Sequence, residues 1–126
     1  MDLFEQIREI LAALLDLEAD AIQPESYLVR DLGVESIDFL ELAVALNARF
    51  DIDVHDDTVF LRNLRLHLIQ AGEEGRAPLQ VLQEQYRFLS IHRLETILAD
   101  LDGGPVLQTR DLEAYVQWKI ASAKAA

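Results

Sequence analysis

Ser36 is the residue whose neighbours give it something to do. It lies in the run Asp31-Leu32-Gly33-Val34-Glu35-Ser36-Ile37-Asp38-Phe39-Leu40-Glu41-Leu42, where a glycine-containing loop meets an amphipathic helix and carboxylates stand on both sides. No histidine or lysine lies near it in sequence to serve as its base, so it is poorly placed to act as a nucleophile within its own active site. It is well placed to be modified by another enzyme, because negative charge around a hydroxyl at a helix start steers a basic partner toward it. Taken alone, a serine before an apolar helix is more often an N-cap. The two roles are compatible before modification.

Other chemistry is scarce. The chain has no cysteine, which removes disulfides, thiolate metal sites and cysteine nucleophiles; a thiol, if the protein uses one, must come from an attached group. Asp51, Asp53 and His55 have the spacing of a calcium loop's opening ligands. The sixth position is Asp56 where glycine is needed, however, and the twelfth is Arg62 where glutamate is needed. His55, His67 and His92 are not at helical metal-pair spacing. Eleven basic against 23 acidic residues give a net charge of −12. Such a surface repels phosphate backbones and excludes nucleic acid as a partner, and it suits proteins with basic patches.

The elements that must position Ser36 are helical. Leu3, Phe4, Ile7, Ile10, Leu11, Leu14 and Leu15 form one stripe behind Asp2 as N-cap. A long loop with Pro24 follows, and Gly33 supplies a backbone turn before the serine. The helix from Ser36 carries Ile37, Leu40, Ala43 and Val44 as its expected inner stripe, with Asp38 and Glu41 favoured near its start by the helix dipole. Downstream, Phe60, Leu61, Leu64, Leu68 and Ile69 predict a helix ending at Gly72 or Gly75. Pro78 predicts the start of another, through Leu79, Leu82, Tyr86 and Leu89. Ser90 caps a further one with Leu94, Ile97, Leu98 and Leu101, and Asp102-Gly103-Gly104-Pro105 stops it. The last helix has Thr109 as N-cap and Leu112, Tyr115, Val116 and Ile120 inside. Tyr86, Phe88, Tyr115 and Trp118 read as core. The expectation is one all-α domain spanning residues 1–126. No apolar run is long enough to cross a bilayer and no signal peptide is visible, so a cytoplasmic monomer is expected.

The run around Ser36 resembles the attachment site of acyl carrier proteins, whose usual core reads Asp-Ser-Leu after Leu-Gly-x and before acidic helix residues. This chain departs from it with Glu35 and Ile37 at the flanking positions. The resemblance implies a four-helix bundle and 4′-phosphopantetheine, transferred from coenzyme A to Ser36 by a phosphopantetheinyl transferase. It implies that Asp31, Gly33 and Glu35 belong to the attachment motif, and that Ile37, Asp38 and Glu41 dock partner enzymes. Asp31 has an equally good reading as a turn residue. The protein so implied is free-standing and not an enzyme: it carries an acyl thioester to loading, synthase or acyltransferase enzymes of fatty-acid, lipid or polyketide-type biosynthesis, in a specialised pathway. A peptidyl carrier and an unmodified adaptor are the competing readings. The resemblance covers about the first 55 residues. Residues 60–105 then read as a helical insertion between the second and final helices, preferred because Thr109 starts a well-capped closing helix; a C-terminal extension over 77–126 is the other reading.

Overall fold

α1 (Leu3–Leu15) begins where its sequence places it, with the Asp2 carboxylate accepting from the Glu5 N–H at 2.8 Å, in a computed structural model that describes residues 1–125. The long loop that follows is anchored by Ile22 and Leu28, both fully buried, and contains a 3-10 turn at Ala19–Ala21. Then come α2 (Ser36–Phe50), α3 (Asp56–Val59), α4 (Leu64–Glu74), α5 (Pro78–Gln85), α6 (Ile91–Ala99) and α7 (Thr109–Ala125). Among the described residues every regular element is helical, with one isolated antiparallel bridge between Tyr27 and Gln108. None of these helices is long and apolar enough to cross a membrane.

α1, α2 and α7 pack on one another, and α3 closes against α7. α4, α5 and α6 stack in chain order, α4 on α5 and α5 on α6. Both groups feed one core: Ile7, Leu11, Leu42, Leu46, Leu112 and Val116 on the first side, Leu82, Tyr86, Leu94 and Ile97 on the second. The local signals behave as their chemistry requires. Pro78 occupies the first turn of α5, where its missing N–H costs nothing. The Ser90 hydroxyl caps α6 by accepting from the Arg93 N–H at 3.1 Å.

Three expectations are corrected. Ile37, Leu40 and Val44 are not an inner stripe: they are 57%, 53% and 66% exposed. The face that α2 turns to the core is Leu42, Ala43 and Leu46, and residues 37, 40 and 44 recur at the same helical spacing on its far side. Ser36 is the first residue of α2, where the sequence starts that helix, and Glu35 rather than the serine is its N-cap. Phe60 and Leu61 precede α4 in a turn, with Leu61 in the left-handed region at φ 56°. Thr109 is fully buried as the first residue of α7. Its hydroxyl donates to the Ser26 carbonyl at 3.3 Å, while the Asp111 carboxylate accepts from the Gln108 N–H at 2.8 Å and does the capping.

The connection from α6 to α7 is stitched to the loop before α2. Leu28 N–H donates to Leu107 O at 3.0 Å, Thr109 N–H to Ser26 O at 3.0 Å and Arg110 N–H to Pro24 O at 2.8 Å. The Tyr27 hydroxyl and Arg30 both donate to Asp100, at 2.6 and 3.1 Å, and Arg30 reaches Gly104 O at 2.8 Å. Arg93 forms a two-pronged pair with Asp111, both contacts at 2.8 Å.

Candidate functional site

The backbone ahead of Ser36 is fixed from both directions. Val34 is buried, and its N–H donates to Leu28 O at 2.9 Å. Leu28 in turn is held by Leu107, so the start of α2 is tied to the start of α7 through one shared residue. Gly33 lies at φ 71°, a conformation that would strain any side chain, and the Asp31 carboxylate accepts from the Tyr27 N–H at 2.9 Å. Asp31 therefore has the turn role that its sequence offered.

α2 starts with a capping box between Glu35 and Asp38, in which the Asp38 carboxylate accepts from the Glu35 N–H at 2.9 Å. This satisfies the Glu35 and Asp38 N–H groups at the start of the helix without Ser36. The serine is left exposed at the first helical position, and its hydroxyl makes no hydrogen bond among the described residues. Glu35, Asp38 and Glu41 place negative charge around it, where the positive end of the helix dipole favours it. An acidic residue followed three places later by another was the signal for this box, and a serine between them draws attention away from it.

The solvent face of α2 joins Glu41 to the apolar row Ile37, Leu40 and Val44. A row of that kind on a lone monomer surface marks an interaction site more often than chance. Behind Ser36, one turn along, the Phe39 ring packs on Phe60 with centroids 4.8 Å apart. Both line a cavity of about 390 Å³ whose other walls include Leu61, Leu64, Val106 and Leu107, with Arg62 and Arg65 at its edge. The connection after α6 thus supplies part of this wall.

The remaining candidates resolve as packing or surface. Tyr86 and Tyr115 are buried in the core, where desolvation pushes the Tyr86 hydroxyl up to about 12 and raises that of Tyr115. Trp118 packs against Phe88 and Tyr115. His55 sits 3.5 Å from Asp53 with both side chains exposed, and His67 stacks edge-on against Tyr86. Among the described residues no three histidine, aspartate or glutamate side chains gather to hold a metal.

Comparison with known proteins bears on the same part of the chain. Residues 5–65 match the family described as phosphopantetheine attachment site. An acyl carrier protein of Picosynechococcus sp. is 41% identical over 56 residues, which is 44% of this chain and 69% of that protein. One from Sulfurovum sp. is 39% identical over 57 residues, covering 45% and 76%, and one from Helicobacter pylori is 40% identical over 57 residues, covering 45% and 73%. No solved structure gives a significant match.

Proposed function

The chain belongs to the acyl carrier protein family, whose members are carriers and not enzymes and whose covalent cofactor is 4′-phosphopantetheine, and we propose that Ser36 is the attachment point and that the cargo is an acyl group. The observation that carries this is the exposed Ser36 hydroxyl at the first position of α2, left without a capping duty by the Glu35–Asp38 pair. The residues fit the cofactor: the hydroxyl is open to an incoming enzyme, and the loop presenting it is rigid through Gly33 and Val34. When bound, the cofactor supplies the thiol that the sequence lacks, and the acyl group rides on it as a thioester.

The chain's own contribution is position and recognition. Asp38, Glu41 and the exposed Ile37 form a docking face for a phosphopantetheinyl transferase and for acyl-loading, synthase or acyltransferase enzymes with basic patches. Long-range attraction speeds the encounter, and the apolar row gives it grip. Leu40 and Val44 extend that row. Asp31 and Gly33 hold the loop geometry on which the presentation of Ser36 depends. The cavity bounded by Phe39, Phe60 and Leu61 is the shelter for the acyl chain between encounters.

Residues 60–105 are an insertion in this reading. Its support is that α7, not α4, packs with α1 and α2, while α4, α5 and α6 stack as a separate series. The insertion remodels the acyl shelter, since its Phe60, Leu61, Leu64 and Leu101 line the cavity, and this is the basis for assigning the carrier to a specialised pathway of fatty-acid, lipid or polyketide type.

The test is the identity of the cargo. Protein isolated from cells is treated with hydroxylamine at neutral pH, and the released group is identified by mass spectrometry. An acyl hydroxamate is expected; an amino-acyl hydroxamate would replace this reading with a peptidyl carrier.

A further inference from the structure

A second cavity, of about 580 Å³, opens between α6, the first turn of α7 and Tyr27 of the loop. Its size is within the roughly 300–1,000 Å³ typical of small-molecule sites. It lies on a part of the chain beyond residues 5–65, apart from Tyr27, and none of its lining residues bounds the acyl shelter.

Most of the polar groups around it are already engaged. Asp100 is taken by Tyr27 and Arg30. Asp111 is taken by Arg93 and the Gln108 N–H. The Thr96 hydroxyl both accepts from Arg93 and donates to the Arg93 carbonyl. Each carboxylate thus faces the cavity with its charge balanced by an arginine.

Three groups are left over, and one of them, the exposed His92 imidazole, makes no hydrogen bond among the described residues. The Gln108 side chain belongs to a residue only 8% exposed, lines the cavity, and makes no hydrogen bond among the described residues. Its amide atoms keep access to solvent through the cavity, so a ligand entering there exchanges that water for its own acceptor. Arg110, also in the lining, spends only one N–H, on Glu25 at 3.4 Å, and keeps the rest of its planar set of donors unused. Facing them is an apolar wall of Phe88, Leu89 and Ala114, the first two buried. The unused capacity is rich in donors: the Arg110 guanidinium is paired with Glu25 through one N–H only and leaves its other donors free beside a hydrocarbon surface.

We infer that this cavity binds a small carboxylate with an apolar body. The carboxylate sits on Arg110, which recognises such a group with two parallel N–H donors, and the Gln108 amide adds a third. The apolar body lies along Phe88 and Leu89. Occupancy bridges α6, α7 and the loop that precedes α2.

The free acid and the carboxyl end of a group carried at Ser36 offer the same chemistry. Only the tethered source rests on the carrier reading, so the test begins with full-length, 15N-labelled Ser36→Ala protein, which has no attachment point. It is titrated with octanoate, octanol and inorganic phosphate while amide shifts are followed. The expected result is a saturable octanoate shift of Phe88, Leu89 and the amides from Gln108 to Asp111, with weaker responses to octanol and phosphate. Arg110→Gln, an exposed change that leaves the core intact, should raise the octanoate Kd by roughly tenfold, and Gln108→Leu should raise it as well. If octanoate has no effect but succinyl-loaded wild-type protein shifts the same amides, the site stands and its ligand is tethered. The inference is overturned if neither moves them, if octanol acts as strongly as octanoate with Arg110→Gln indifferent, or if the shifts fall only around Phe39 and Phe60. None of these outcomes decides whether Ser36 is the attachment point, which rests on the mass of the modified protein.

Discussion

Replacing Asp111 by alanine should cost this fold about 4 kcal/mol, the sum of a broken buried ion pair and an orphaned backbone donor. The Asp111 side chain is 1% exposed and takes two Arg93 donors at 2.8 Å and the Gln108 N–H at 2.8 Å. Without it, a guanidinium whose side chain is 12% exposed loses its counter-charge. Breaking a buried pair typically costs ~3–5 kcal/mol. Arg93 keeps the Val106 carbonyl and Thr96 as acceptors, which places its loss near ~3 kcal/mol. The stranded Gln108 N–H adds about 1 kcal/mol. Against a total stability of ~5–15 kcal/mol, that is a large share. In equilibrium urea unfolding followed by circular dichroism, with a slope of about 2 kcal/mol per molar, the midpoint should fall by about 2 M. The double variant Arg93→Met/Asp111→Leu should lose much less than the two single changes together, because it removes both charges at once. An Asp111→Ala midpoint within about 0.5 M of wild type, or a double variant equal to the sum of its parts, would refute the reasoning.

Three further outcomes follow from named contacts. Gly33→Ala should lower stability by about 1 kcal/mol, and Tm by about 4 °C, through backbone strain alone, since a Cβ at φ 71° meets no atom within 4 Å; a thermal melt decides it. The Asp100 carboxyl is held below its ordinary 3.8, first by the Tyr27 hydroxyl and then by Arg30. Its contribution is therefore complete above that value and lost as pH falls through the lowered one, so the Tm gap between wild type and Tyr27→Phe should narrow as pH drops from about 7 toward about 2. Glu41→Lys should slow transferase loading by roughly tenfold at low salt, with the deficit shrinking as ionic strength rises and the melting temperature nearly unchanged; initial rates across a salt series measure it.

The sequence made the helices readable wherever a local signal decided them. Asp2, Gly33, Pro78 and Ser90 each act within a turn of themselves, and each does in the fold what its chemistry suggests. Ser36 at the loop–helix junction was equally legible. The face of α2 was not, because residues 37, 40 and 44 and residues 39, 42, 43 and 46 both satisfy helical spacing, and only the packing of α1 and α7 selects the second set. The capping duty of Thr109 was misassigned, since the helix starts at Thr109 itself and the Asp111 carboxylate takes the N–H of the residue before it. Tyr27 and Asp100, 73 residues apart, and Arg30 with Gly104, 74 apart, join segments that no periodicity relates. The cavity with Gln108 on its wall depends on those long-range joins and was out of reach for the same reason.

The central claim is that Ser36 carries the cofactor, and intact mass tests it most directly. Full-length protein is incubated with coenzyme A and a permissive phosphopantetheinyl transferase, alongside Ser36→Ala. A mass gain of one phosphopantetheinyl group in the wild type, absent from a variant with the same melting temperature, is the predicted result. No gain in folded wild-type protein with several transferases, or an equal gain in Ser36→Ala, would contradict the assignment.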